Sequence, residues 1–316
     1  MGHSPRISTY PAELIRRASN TLVTPQWHHR RMTLRVMSWN VNKSSNREGR
    51  IDDQLEFIRN RSVDILHLQE VRYGTDDKWL DRWKEGLTEL GLGELEHSCD
   101  WASELSDTKV PPHSDIGHDN GHITAVNTEW DLVRHEPTVR ENIEKSEQGL
   151  FDTHFPEKIL TTAIETPDNE IELWNIRAVP GNGWREEKIK IFESVYDRLS
   201  AEGYKTRILT GDFNSPKAEL PDGQAIPFGH DKQSGFRNRK VNAELNILKG
   251  LGHLGMRDIF REQHGYGEVE VEDTSWRSKR FDHIFASDDL PVNSCWYDHS
   301  GLENSDHAPI LAEFGV

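Results

Sequence analysis

Cysteine is almost missing from this chain: its 316 residues include two, Cys99 and Cys295, far apart and at no metal-ligand spacing. That argues against a disulfide scaffold or a thiolate zinc site and makes a reducing cytoplasm the expected setting. Long apolar runs are also missing, since no stretch approaches the ~18 residues of a membrane-crossing helix. Basic residues are outnumbered, 38 Lys and Arg against 54 Asp and Glu, giving a net charge of −16. A protein that binds nucleic acid by general attraction carries the opposite balance, because phosphate contacts dominate that affinity. An acidic chain can still process nucleic acid through one locally basic face, so charge alone does not decide the partner.

What is present suits a folded chain. Hydrophobic residues make up 34%, with 10 Trp and 11 Phe, enough for a substantial core despite 29% charge. Residues 1–32 differ from the rest: Arg6, Arg16, Arg17, Arg30 and Arg31 oppose Glu13 alone, a local surplus of about +4. Leu14-Ile15, cut short by Arg16-Arg17, supplies no apolar core for a secretory signal. These residues are expected to form a basic extension, either docked or loose, or else an arm for a polyanion. Residues 33–316 then form a single domain.

Along that domain, Leu34–Val41 reads as a strand ending near Asn40, and Ile51, Leu55 and Ile58 mark an amphipathic helix. Val63–Leu68 reads as a buried strand ending in Gln69-Glu70, and Leu80, Trp83, Leu87 and Leu90 form a helical stripe closed by Gly91. Ser106–Asn120 reads as a loop in which His113 and His118 have no third metal partner. Short strands are expected at Ile123–Val126, Leu160–Glu165 and Ile171–Asn175. A long helix carrying Ile189, Phe192, Tyr196 and Leu199 follows. After the strand Ile208–Thr210 come a polar loop over Ser215–Arg237, a helix marked by Val241, Leu245 and Leu248, and strands at Phe281–Phe285 and Ala308–Phe314. Strands alternating with helices in both halves predict an α/β sandwich, two sheets face to face with helices outside.

The run Arg207–Asn214 ends its apolar part at Gly211 and then presents Asp212 and Asn214 two residues apart, hence on the same side of an extended chain. Such a pair holds a water or a metal, or simply closes a strand with a polar turn. Its company points toward chemistry. Asn40, Glu70 and Asp306 with His307 also lie at or beyond the ends of apolar strands, and Asp282-His283 lies within one. Acids brought together there would repel one another without a cation among them. Carboxylate and amide oxygens suit Mg²⁺ or Mn²⁺, and a divalent ion beside a histidine suits phosphoryl transfer.

Trp39-Asn40, Gln69-Glu70, Gly211-Asp212-Phe213-Asn214, Arg280-Phe281-Asp282-His283 and Ser305-Asp306-His307 together resemble, in order, the motifs of the endonuclease/exonuclease/phosphatase superfamily. The resemblance implies a four-layer α/β sandwich and a catalytic domain over residues 33–316. It implies Glu70 as main metal ligand, with Asn40 beside it and Asp306 near the same Mg²⁺ or Mn²⁺. Asp212 would orient or deprotonate the attacking water, and Asn214 would hold that water or a phosphate oxygen. His307 would donate to a non-bridging phosphate oxygen, with Asp282 behind it fixing the ring and favouring its cation.

One position departs from the pattern. Several branches carry a histidine at the end of the strand before the long helix, and that place falls on Arg177. Arginine gives no proton at neutral pH but clamps phosphate bidentately or steadies a leaving oxygen; the alternative for Arg177 is a surface ion pair. The exonuclease III branch has a tyrosine nearby, where Ala178 stands here.

Lys279-Arg280-Phe281-Asp282 lacks the Trp-Cys-Asp-Arg of the inositol polyphosphate 5-phosphatases, whereas Thr274-Ser275-Trp276 followed by Arg280-Phe281-Asp282 resembles exonuclease III-like enzymes. Asn182, Trp276 and Arg237 are the expected substrate-binding residues, Trp276 by stacking unless it packs in the core. Arg237, Arg239 and Lys240 either supply phosphate contacts or form a solvated face. The expected activity is a divalent-metal-dependent phosphodiesterase, a nuclease with DNA as substrate and no membrane partner. Alternatives are a phosphatase or phosphodiesterase of a small or lipid phosphate, which the net charge of −16 keeps open, and a catalytically inactive binding module. A substrate panel separates the first two, and any metal-dependent turnover removes the third.

Overall fold

The computed structural model describes residues 33–42, 49–72, 78–105, 120–134, 151–166, 169–181, 186–201, 203–228 and 237–315. The basic extension, His113, His118 and Asn182 lie outside the described residues. In chain order the first half runs β1 (Thr33–Asn40), α1 (Arg50–Arg59), β2 (Ile65–Arg72), α2 (Lys78–Glu89), β3 (Glu94–His97), α3 (Ser98–Leu105), β4 (Asn120–Val126), β5 (Leu132–Arg134) and β6 (Ile159–Glu165). The second half runs β7 (Glu170–Arg177), α4 (Glu186–Ala201), β8 (Arg207–Asp212), β9 (Ala218–Glu219), β10 (Ala225–Ile226), α5 (Arg237–Leu248), β11 (Met256–Asp258), α6 (Ile259–His264), β12 (Asp282–Ser287), β13 (Val292–Tyr297) and β14 (Ile310–Gly315). No helix among the described residues is long and apolar enough to cross a membrane.

The strands form two six-stranded mixed sheets, ordered β13-β14-β1-β2-β4-β3 and β11-β12-β8-β7-β6-β5, plus the small β9–β10 hairpin. Strand alternation assigns each residue a face, and three apolar clusters follow from it. Leu34, Val36, Ile65, Leu173, Ile208, Ile284 and Ile310 meet between the sheets. Met37, Trp39, Leu66 and Leu68 face outward onto Leu55 and Ile58 of α1 and Leu80, Trp83 and Leu87 of α2. Trp174, Ile176 and Leu209 face the other way, onto Ile189, Phe192, Val195 and Leu199 of α4 and Ile247 of α5. Three apolar seams separate four layers, the α/β sandwich expected from the sequence.

The expected elements are present, with local differences. Of Val241, Leu245 and Leu248, α5 buries only Leu248 fully; its buried face is Ala243, Glu244, Ile247 and Leu248. The helix is turned because Glu244 is drawn inside to meet Lys188 of α4. β13 is an edge strand that buries Cys295 and Tyr297 between the sheets, while Trp296 packs on the outer cluster. The polar loop after Asn214 contains the β9–β10 hairpin.

β7 and β8 run parallel, pairing Ile176 with Gly211 and Arg177 with Asp212. Gly211 has φ +142, and a Cβ there would lie 1.8 Å from the Ile176 carbonyl oxygen. Only glycine adopts that backbone without strain and admits that approach. Gly211→Ala is therefore expected to cost about 3 kcal/mol or more, read by chemical denaturation. A loss below about 0.5 kcal/mol would show that the strands can separate freely there.

Candidate active site

The space between the sheets changes character along the strands. Inward positions run Leu34, Val36, Ser38, Asn40 on β1; Ile171, Leu173, Asn175, Arg177 on β7; and Ile208, Thr210, Asp212 on β8. Apolar contacts therefore give way to polar ones toward the carboxyl ends. His67 Nδ1 lies 2.7 Å from Thr210 Oγ1, and Gln69 Nε2 donates to Asn175 Oδ1 at 2.8 Å. Beyond them, Asn40 Nδ2 donates to Asp212 Oδ2 at 3.0 Å and to Glu70 Oε1 at 3.2 Å.

Glu70 reaches this space through an irregularity. It has the same parity as Leu66 and Leu68, which face the outer helices. In the β2–β4 ladder Leu68 opposes Ile123 and Val71 opposes Gly121, so Gln69 and Glu70 together stand against His122. This β-bulge, with Glu70 at φ +58, resets the alternation and turns the carboxylate inward while Val71 stays outward.

Arg177 meets both acids, with Nη2 2.5 Å from Glu70 Oε1 and Nε 3.6 Å from Asp212 Oδ2. It is not a surface ion pair, since its side chain is only 13% exposed. Asn214 donates to Asp212 twice, from its backbone N to Oδ1 and from Nδ2 to Oδ2, both at 2.9 Å. Asp282 opposes Asp212 directly across the antiparallel β8–β12 ladder. Its Oδ2 is 2.7 Å from His307 Nδ1, leaving Nε2 of that ring for other partners. Asp306, on the exposed rim, accepts from Asn42 Nδ2 at 2.8 Å and from Trp276 Nε1 at 3.2 Å. Trp276 stacks on Phe281 with ring centroids 5.3 Å apart and lies 6.2 Å from the His307 ring.

The charges interlock. Burial pushes the Asp212 carboxyl up to about 6, with Asp282 adding to the rise against the pull of His307 and Arg177. Burial alone would lower His307, but Asp282 outweighs it and raises the imidazole to about 9. Burial would raise Glu70, yet the Arg177 guanidinium, then Asn40 and His307, hold it below the usual carboxylate range. Near neutral pH the site thus holds a proton-accepting carboxylate beside an imidazolium.

Several supporting residues went unread in the sequence. Ser275 Oγ accepts from the backbone N–H groups of Phe281 and Asp282, each at 3.0 Å, and Tyr297 OH donates to the Asp282 carbonyl at 2.6 Å. Ser305 Oγ donates to the Asn40 carbonyl at 2.6 Å, and Trp39 Nε1 donates to the His307 carbonyl at 2.9 Å. Behind Asn214, buried Lys188 donates to the Asn214 carbonyl and to Ser215 Oγ, both at 2.7 Å. Trp39, Ser275 and Ser305 lie inside the motifs named from the sequence; Tyr297 and Lys188 carry no local signal.

The structure thus brings together Asn40, Glu70, Arg177, Asp212, Asn214, Asp282, Asp306 and His307, with Trp276 at the rim. α5 begins at Arg237, whose side chain lies outside what is described. Arg239 is paired with Glu193 at 2.6 Å and Glu186 at 2.5 Å, carboxylates from α4.

The donor set fits a hard divalent cation. Four carboxylates, Glu70, Asp212, Asp282 and Asp306, face two cationic groups, Arg177 and His307, so negative charge is in excess. Ligand atoms of Asp212, Asp282 and His307 lie within 4.8 Å of one another. The 2.7 Å hydrogen bond between His307 and Asp282 nevertheless engages two of those three groups with each other.

Residues 37–307 match the Endonuclease/Exonuclease/phosphatase family. A search of curated proteins finds no match. Among solved structures, an AP endonuclease from Archaeoglobus fulgidus is similar at 18% identity and TM-score 0.57, covering 90% of this chain and 100% of that one. D. rerio TDP2 complexed with single strand DNA product is similar at 16% identity and TM-score 0.55, covering 90% and 99%. An endonuclease/exonuclease/phosphatase from Beutenbergia cavernae is similar at 16% identity and TM-score 0.54, covering 90% and 72%. At these identities the shared property is the fold.

His307 titrates above its ordinary value of 6.5 in the folded protein, so the stability it contributes is full below 6.5 and is lost as pH rises through about 9. In metal-free buffer, Asp282→Asn is expected to lower the melting temperature most below that range, with the gap to wild type narrowing above it. A gap that does not change with pH would show that Asp282 does not hold the imidazolium.

Proposed function

The chain belongs to the endonuclease/exonuclease/phosphatase family, and from that premise we propose that it is a divalent-metal-dependent nuclease cutting DNA phosphodiesters by in-line attack of water. The observation that carries the reading is the meeting of Asp212, held by three N–H donors, with the His307–Asp282 pair across one ladder. A carboxylate near 6 is matched to take a proton from water at neutral pH.

Asp212 removes the proton of the attacking water, while Asn40 and Asn214 fix the direction of its oxygens. His307, cationic on Asp282, donates from Nε2 to a non-bridging phosphate oxygen and meets the charge that builds there. Arg177 adds fixed positive charge between Glu70 and Asp212 but supplies no proton to the leaving oxygen. Glu70, with Asn40 and Asp306, would hold Mg²⁺ or Mn²⁺, which supplies Lewis-acid neutralisation of the phosphate. Trp276, half-buried beside Asp306, stacks on Phe281 and carries the Arg277 guanidinium 4.3 Å from its ring, so a base or sugar stacking there would compete with these neighbours. A strand-shaped substrate is supported by the similar fold of the protein complexed with single strand DNA product.

The second reading, hydrolysis of a small or lipid phosphate, draws on the net charge of −16. A panel of duplex DNA, abasic duplex, single strands, RNA, phosphoinositides and sphingomyelin separates the two. The expected result is Mg²⁺- or Mn²⁺-dependent DNA cleavage, abolished by EDTA and reduced roughly 10²- to 10⁴-fold by Asp212→Ala. Turnover of a lipid or inositol phosphate with none of any nucleic acid would replace the nuclease reading with the second one.

A further inference from the structure

Lys240 stands out among the cations around the site. It lies on α5, half-buried, and makes no ion pair or hydrogen bond among the described residues. Its neighbours are committed: Arg239 to Glu186 and Glu193, and Lys188 to Asn214, Ser215 and Glu244. Arg50 and Lys279 are likewise half-buried without an ion pair among the described residues, but each donates to a backbone carbonyl, as Lys240 does not. Partial burial weakens its hydration, and no anion among the described residues compensates for that.

Its position ties it to the site. Lys240 Nζ is 2.9 Å from where a Cβ of Gly181 would stand, which places the ammonium against the Gly181 backbone. Gly181 follows three residues after Ala178, whose carbonyl accepts from Asn214 Nδ2 at 2.9 Å. Lys188 closes the link from the other side: its Cδ is 3.9 Å from the same Gly181 position, and its Nζ is 2.7 Å from the Asn214 carbonyl. Three residues of chain span at most about 11 Å, so Lys240 stands a short step from Asn214. Burial lowers the Lys188 ammonium to about 8 against the pull of Glu244, and the charge of Lys240 lowers it further. With Lys188 and Arg239 offset by carboxylates, Lys240 is the cation of this flank that no described carboxylate offsets.

Resting on the nuclease reading, we propose that Lys240, beside Gly181, is the seat for a backbone phosphate of the substrate strand other than the one that is cut. The seat gives the acidic chain a local hold on a polyanion and favours a strand over an isolated phosphate. It is a binding contact, uniform across sequences, because an ammonium meets phosphate as a point charge.

The test is the anisotropy of a short fluorescein-labelled single-stranded DNA, titrated with the full chain in EDTA across a series of salt concentrations. Lys240→Gln is expected to weaken binding several-fold at low salt and to reduce the slope of log Kd against log salt by about 1. Lys240→Arg is expected to keep the wild-type slope. Equal affinity and slope in wild type and Lys240→Gln would overturn the proposal, as would no salt-dependent binding by the wild type. Failure of the nuclease reading would show separately, as strand binding without metal-dependent cleavage.

Discussion

Asp212 and Asp282 stand in register on neighbouring antiparallel strands, both fully buried. Two carboxylates about 5 Å apart repel by about 3 kcal/mol at an effective dielectric of 20, before any cost of burial is added. Most of the surrounding architecture answers that repulsion. His307 offsets Asp282 as a cation, while Asn40, Asn214 and the Arg177 guanidinium surround Asp212. Ser275 and Tyr297 pin the backbone on either side of Asp282, so it cannot relax away. The outcome is an asymmetric pair, one acid spent on an imidazolium and the other left near the pH where it can take a proton.

The strands deliver these groups through two departures from regular geometry. Gly211 lets β7 and β8 approach where Arg177 and Asp212 sit side by side. The bulge at Gln69-Glu70 brings inward a carboxylate that plain alternation would send to the helices. Both cost backbone regularity at the carboxyl ends of core strands, where the apolar seam between the sheets has already given way to polar pairs. The helices contribute as well, since α4 and α5 place Lys188 and Glu244 behind the Asn214 turn.

Much of this was legible in the sequence. Asn40, Arg177, Asp212 and Asp282 belong to apolar strands whose period of two fixes their side, and the alternation of Leu34, Val36 and Ile208, Thr210 carries that information. Glu70 was legible only as a strand-end acid; its parity pointed outward, and nothing local announces a bulge that depends on the β4 partner. Glu244 was hidden because the stripe Val241, Leu245, Leu248 is an equally good helical face, and the choice rests on a lysine in another helix. Arg239 looked available for phosphate because its partners Glu186 and Glu193 lie far away in sequence. Pairings made by tertiary packing were what the sequence could not disclose.

The excess negative charge around Glu70 should make the site take up a hard cation even without substrate. Calorimetric titration of Mn²⁺ into the wild-type protein and into Glu70→Gln measures this directly. Binding to the wild type, accompanied by proton release and weakened roughly tenfold or more by Glu70→Gln, is the predicted result. No binding, or equal binding by the two proteins, would contradict it.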